Sequence, residues 1–281
     1  MRSTWQKLRE ALFPIYGERE GEAIIREIFN YEKGWGLTEM IIHGEDELSD
    51  YIKGDIDKIL QRLLRHEPIQ YITGEASFYG LDIRVRPGVL IPRPETQELV
   101  SAVVEEWGTA PDLSVLDACC GSGCIAAALS RNLKFPTVTA LDLSDAAVEV
   151  TRENIEKLRC RVEVVQSDIF TYEPAHSSLD VIVSNPPYID ESERGGIDRN
   201  VLEYEPEMAL FVPDSDPLRF YERLADIGIR ALRPGGMIYF EINPRHKDDM
   251  LRMMETKGYT EVEAWRDTYG RYRFVKARRN G

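Results

Sequence analysis

The chain has 281 residues, of which 43% are hydrophobic and 30% charged, and a formal net charge of −14. That length gives room for one large domain or two unequal ones with an ample core, at a composition ordinary for a soluble globular protein. The acidic balance argues against a non-specific grip on a phosphate backbone, which needs clustered Lys and Arg. No apolar run approaches a membrane span, and residues 1–20 lack a signal peptide's apolar centre, so a cytoplasmic protein is expected.

Residues 1–70 read as helical. Trp5, Leu8, Leu12 and Ile15 recur at helical spacing behind a possible cap at Ser3 or Thr4. Ala23, Ile24, Ile25, Ile28 and Phe29 give a second amphipathic helix closed near Gly34. Short helices are expected around 37–43 and 46–52, then a longer one capped by Asp55 and striped with Ile59, Leu60, Leu63 and Leu64. Short helices with brief loops describe a small bundle. His43 and His66 are single helical histidines, read as solvated or packed. From 71 to 92 short apolar runs broken by Gly74, Gly80 and Pro87-Gly88 predict a β-hairpin linking this bundle to a second domain over 93–281. Pro92-Arg93-Pro94-Glu95-Thr96 forms a stiff entry to a helix at 95–107, with Arg93 and Thr96 placed as for a ligand.

The remainder alternates strand and helix, which means a mostly parallel sheet covered on both faces. Strands are expected at 114–117, 137–142, 162–166, 179–184 and 236–242. Helices are expected at 123–131, 144–158 (capped by Ser144), 217–232 and near 246–257. Two last strands, near 259–265 and 272–277, are close enough in sequence to pair antiparallel. The basic cluster Arg271, Arg273, Lys276, Arg278 and Arg279 reads as a solvated edge strand and a frayed terminus. Cys119, Cys120, Cys124 and Cys160 lack zinc-site spacing and nearby histidines, so they read as packed, reduced thiols, with no metal.

Three successive strand ends carry acids. Asp117 precedes Cys119-Cys120-Gly121-Ser122-Gly123, where the glycines allow a ligand to approach a helix start closely. Asp142 ends the next strand, where a carboxylate holds ribose hydroxyls. Asp168 follows the third and suits an adenine amine. Gly121-x-Gly123-x-x-Ala126 also fits a dinucleotide fingerprint, so a nicotinamide oxidoreductase competes. Asp117 suits the ammonium end of S-adenosylmethionine better than a pyrophosphate.

Val181-Ile182-Val183-Ser184 then runs into Asn185-Pro186-Pro187-Tyr188. Two prolines stiffen this loop at the carboxyl end of a strand, where open α/β sheets bind ligands. The Asn185 side chain and the Pro186 carbonyl offer two oxygens that together accept both hydrogens of one planar NH2 group. An amide nitrogen is a poor nucleophile, and holding both hydrogens favours the pyramidal form that attack requires. Tyr188 can stack on a flat substrate group. A bare Pro-Pro connector, a nucleic-acid amine methylase and a non-catalytic binding module remain as other readings.

These residues resemble the peptide chain release factor glutamine N5-methyltransferases, a class I S-adenosylmethionine-dependent family. The resemblance covers nearly the whole chain, through Pro68-Ile69-Gln70-Tyr71-Ile72-x-Gly74, Phe78-Tyr79-Gly80-Leu81, Leu90-Ile91-Pro92-Arg93-Pro94-Glu95-Thr96 and Asn185-Pro186-Pro187-Tyr188-Ile189. Tyr204-Glu205-Pro206 and Pro234-Gly235-Gly236 with Glu241 also match. It implies a Rossmann-like domain behind a helical substrate-docking domain, with S-adenosylmethionine as cofactor. It implies that Cys119 to Gly123, Asp142, Ile169 and Asn185 contact the cofactor. It further implies that Asn185, Pro186, Pro187 and Tyr188 hold the glutamine of a Gly-Gly-Gln tripeptide in a release factor. The chain departs from the family where Cys119 replaces Gly, Cys120 replaces Thr, Gln97 replaces an acid and Asn243 replaces Gly. The backbone at Cys119 should therefore avoid a glycine-only conformation, and none of the departures should touch the methyl-accepting loop.

Overall fold

A computed structural model describes residues 1–281. In chain order the helices are α1 (Arg2–Lys33), α2 (Leu37–Ile42), α3 (Asp50–Leu63), α4 (Ile69–Thr73), α5 (Thr96–Trp107), α6 (Cys124–Asn132), α7 (Asp145–Leu158), α8 (Arg199–Tyr204), α9 (Arg219–Ala231) and α10 (Lys247–Thr256). The strands are β1 (Glu75–Phe78), β2 (Leu81–Arg84), β3 (Ser114–Ala118), β4 (Thr137–Asp142), β5 (Val162–Gln166), β6 (Leu179–Ser184), β7 (Ile189–Asp190), β8 (Phe211–Val212), β9 (Leu232–Glu241), β10 (Tyr259–Arg266) and β11 (Tyr272–Arg279). They form two compact units: Met1–Gly74 with Asp198–Tyr204, and Glu75–Ile197 with Glu205–Gly281.

The first unit is all helical. Gly17, at φ 75° and ψ 169°, breaks α1 into the two amphipathic pieces that the apolar spacing predicts. Leu8, Leu12, Ile25, Ile28 and Phe29 bury against Ile56, Leu60 and Leu63. Ile15, assigned to the same stripe, instead lies exposed beside the break. Neither Ser3 nor Thr4 caps α1, which already begins at Arg2. The expected helices at 46–52 and after Asp55 are one helix, α3. Ser49 caps it by accepting from the Ile52 amide at 3.3 Å, while Asp55 sits inside and pairs with Lys58 at 2.6 Å. His43 is packed, its ring stacked on Trp35 at 4.9 Å.

The second unit is built on a seven-stranded sheet in the order β10-β11-β9-β6-β3-β4-β5. β3, β4, β5, β6 and β9 are parallel; β11 runs antiparallel to both of its neighbours. Strand order therefore reverses between β3 and β6, a crevice at which doubly wound sheets bind ligands beyond the carboxyl ends of their strands. β6 is buried along nearly its whole length, as its β-branched run requires. The C-terminal basic cluster is not a solvated edge: β11 lies one strand in, and β10 forms the edge. Three of its five cations, Arg273, Lys276 and Arg278, pair with Asp267, Glu106, Glu261 and Glu263.

The hairpin β1–β2 is antiparallel and ties into this unit through α7. Buried Asn154 accepts from the Arg84 amide at 2.7 Å and donates to the carbonyls of Arg84 and Ser122 at 3.0 and 2.9 Å. One side chain on α7 thus fixes the hairpin and the glycine loop together.

Candidate active site

Beyond the strand ends at the crevice lies a cavity of about 400 Å³, a size typical of a small-molecule site. Cys119 and Gly121 line it from the loop after β3, Asp142 from the end of β4, Asp168 and Ile169 from beyond β5, and Asn185 and Pro187 from beyond β6. Those seven sequence-assigned residues meet at one wall. Asp117, Cys120, Ser122, Gly123, Pro186 and Tyr188 neighbour these residues in the chain without lining the cavity themselves. The wall also takes Gly88, Val89 and Leu90 from the segment after the hairpin, and Phe170, Arg219 and Phe220 at one end. Pro87-Gly88 was the available sequence signal for the first three. The Arg219 guanidinium lies 4.7 Å from the Phe170 ring centroid.

The glycine loop is held by its neighbours. Asp142 accepts from the Gly121 amide with one oxygen and from the Ser144 amide with the other, both at 2.9 Å. Each carboxylate oxygen keeps a second lone pair for a ligand donor. The Thr151 hydroxyl donates to the Gly121 carbonyl at 2.9 Å. Gly123, at φ 74°, admits no side chain because a Cβ would stand 2.7 Å from Thr151 Cγ2. Cys119 does not avoid the left-handed region: it holds φ 59°. That region costs an L-residue roughly 1–2 kcal/mol but is open to it, and the surrounding bonds hold the backbone there. Burial pushes the Cys119, Cys120 and Cys124 thiols up, to about 12 for Cys124, so they remain protonated packing groups.

Two buried polar atoms beside this loop have no partner: Asp117 Oδ1 and Ser122 Oγ. Asp117 is fully buried, and its other oxygen accepts from the Ala126 amide at 2.9 Å at the start of α6. Desolvation, aided by Asp142, pushes its carboxyl up to about 8. The native state therefore keeps a proton that the unfolded chain loses near pH 4, so stability falls as pH rises between about 4 and 8 and levels off above. Asp117→Asn keeps the acceptor for Ala126 and removes that proton. Thermal unfolding of the variant should lose this component of the pH slope, which approaches about 1.4 kcal/mol per pH unit for one proton. Parallel pH profiles for wild type and variant would contradict the assignment.

At the end of β6 the loop is anchored from outside itself. The Asn185 amide donates from Nδ2 to Thr96 Oγ1 at 3.3 Å, and Thr96 Oγ1 donates to Glu241 Oε2 at 2.6 Å. The Tyr188 hydroxyl donates to the other Glu241 oxygen at 3.1 Å. Glu241 is wholly buried at the end of β9; desolvation pushes its carboxyl up, opposed by the two hydroxyls and Arg273. Arg93 and Thr96, expected to face a ligand, are committed within the protein. Arg93 pairs with Glu205 at 2.7 Å, and Glu205 also accepts from the Ile91 amide at 3.0 Å. Nor do all departures from the family spare the acceptor loop. Asn243 Nδ2 donates to the Tyr188 backbone carbonyl at 3.2 Å and to Glu193 at 2.6 Å.

The residues present fit S-adenosylmethionine. The spare lone pairs of Asp142 and Asp168 suit a ribose diol and an adenine amine. Beside the glycine loop Asp117 Oδ1 is a buried carboxyl oxygen without a partner, and nothing stands within 4 Å of where a Cβ at Gly121 would be. Fold and site together define a class I S-adenosylmethionine-dependent methyltransferase. Residues 95–203 match the methyltransferase small domain and residues 6–74 the PrmC N-terminal domain. A methyltransferase from Pyrococcus furiosus superposes with a TM-score of 0.54 at 19% identity, covering 80% of this chain and 100% of that one. A 16S rRNA methyltransferase from T. thermophilus, solved with AdoMet and guanosine, gives 0.55 at 18% identity over 73% of this chain and 50% of that one. Both likenesses concern the fold.

Sequence relatives narrow the class. The chain is 44% identical to a release factor glutamine methyltransferase from Bacteroides thetaiotaomicron, over 97% of this chain and 98% of that one. It is 36% identical to one from Flavobacterium psychrophilum, over 95% of each. The chain belongs to the release factor glutamine methyltransferase family.

Proposed function

We propose that this chain methylates the side-chain amide nitrogen of the glutamine in a Gly-Gly-Gln tripeptide of a peptide chain release factor. The observation that carries the reading is the Asn185 amide: the residue lines the cavity and its nitrogen is engaged by Thr96, which leaves the oxygen as the end for a substrate. When bound, S-adenosylmethionine supplies a methyl group on a sulfonium centre, open to in-line displacement. Asp142 and Asp168 hold the ribose and adenine ends, and the loop from Cys119 to Gly123, with Ile169, shapes the rest of the site. Asn185 Oδ1 and the Pro186 carbonyl accept the two amide hydrogens and orient the nitrogen lone pair, while Pro187 and Tyr188 flank the amide. Positioning of this kind supplies most of the acceleration.

The helical unit serves as the docking surface for the protein substrate, and the enzyme works in the cytoplasm without stable nucleic-acid binding. The net charge of −14 supports that reading, as do the ion pairs that neutralise Arg273, Lys276 and Arg278. With methyl-labelled cofactor, a folded release factor should take up label while DNA and ribosomal RNA stay unlabelled. Label in nucleic acid and none in the factor would overturn the substrate assignment.

A further inference from the structure

We infer that Thr96 and Glu241 are positioning residues for methyl transfer: they set which end of the Asn185 amide faces the acceptor. The inference rests on the reading of Asn185 given above. An amide side chain has a donor end and an acceptor end of nearly the same shape, so packing alone discriminates poorly between two orientations half a turn apart. Only one of them offers oxygen to a substrate NH2 group; the other offers a second NH2 and repels it.

The polarity is set at the far end of a chain of hydrogen bonds. Glu241 is 0% exposed and its two oxygens meet the Thr96 and Tyr188 hydroxyls. The 2.6 Å contact to Thr96 has the length of a hydroxyl donating to an ionised carboxylate. Arg273 Nη1, 3.9 Å from the other oxygen, supports the charge. An ionised carboxylate only accepts, so the Thr96 hydroxyl spends its one hydrogen there. Thr96 then has only lone pairs left for Asn185 and selects its Nδ2. The same carboxylate takes the Tyr188 hydrogen, so one buried acid orders both polar members of the acceptor loop. Thr96 is 2% exposed and starts α5, so its hydroxyl is out of bulk solvent.

Thr96→Val is close to isosteric and removes only the hydroxyl. The variant should fold and keep S-adenosylmethionine affinity within about twofold, while kcat on a folded release factor falls at least about tenfold, the scale of one lost polar anchor. Thr96→Ser should recover kcat to within about threefold. Thr96→Ala gives the same readout should the Val branch disturb folding. Combined with Asn185→Ala, the Thr96→Val change should cost less than about twofold more, because it acts only through Asn185. Unaltered kcat in Thr96→Val, or the same loss in the Asn185→Ala background, overturns the inference while the acceptor reading stands. Full turnover by Asn185→Ala alone would instead remove the acceptor reading, and this inference with it.

Discussion

Asn185→Asp should lower turnover on a release factor by about a hundredfold or more, the scale at which small misplacements of reacting groups are felt. The substitution hardly changes size, so packing is not the cause. The Asn185 amide gives its nitrogen to Thr96, and Thr96 gives its hydrogen to Glu241. A carboxylate at 185 has no hydrogen to give, and Thr96 cannot donate to two acids at once. Two negative charges would then face one hydroxyl in a buried setting, which disfavours ionisation of both. The new charge also stands where a sulfonium is expected and stabilises that ground state more than the charge-dispersed transition state. Cofactor affinity is therefore expected to stay level or tighten as turnover falls. Asn185→Ala should also impair turnover, without tighter cofactor binding. Near-normal turnover by Asn185→Asp would show that the loop does not clamp the acceptor as described.

Asp142→Ala should weaken S-adenosylmethionine binding at least tenfold while the fold survives. Two charge-assisted bonds to ribose hydroxyls are worth roughly 1.5–3 kcal/mol each before compensation. The carboxylate does more than face the cavity, because it also accepts from the Gly121 and Ser144 amides. Its removal frees the glycine loop from the start of α7, which adds an ordering cost to binding. Titration calorimetry reads the affinity, and circular dichroism checks the fold. Unchanged affinity would take Asp142 out of the site.

What could be read from the sequence was local, and what could not was set by partners far along the chain. Ser144 capping α7 and the β-branched run of β6 ending at Asn185 each follow from a few neighbouring residues. The acids at the ends of β3 and β4 and just beyond β5 do as well. Thr96 and Glu241 are 145 positions apart, and nothing near either one announces the other. Arg93 looked free for a ligand because its partner, Glu205, is 112 positions away. The interior place of β11 depends on sheet order, which apolar alternation does not encode. The loop after Tyr188 hides a two-residue parallel pairing, Ile189 with Phe211 and Asp190 with Val212, too short to leave a pattern. Asp55 has a capping residue type but lies inside α3, because Ser49 already caps the helix start six residues earlier. At Cys119 the missing glycine suggests an ordinary conformation, but φ is 59° there, beside Cys120 and Gly121, whose amides are held by the Leu141 carbonyl and Asp142.

The central claim is tested most directly by mapping the methyl group on a release factor after incubation with the enzyme and S-adenosylmethionine. Fragmentation of the peptide that carries Gly-Gly-Gln should place a mass increase of one CH2 on the glutamine side chain, with none elsewhere in the factor. The increase should be absent when Asn185→Asp enzyme is used. A methyl group found on another residue, or an unmodified glutamine beside methylated nucleic acid, would contradict the account.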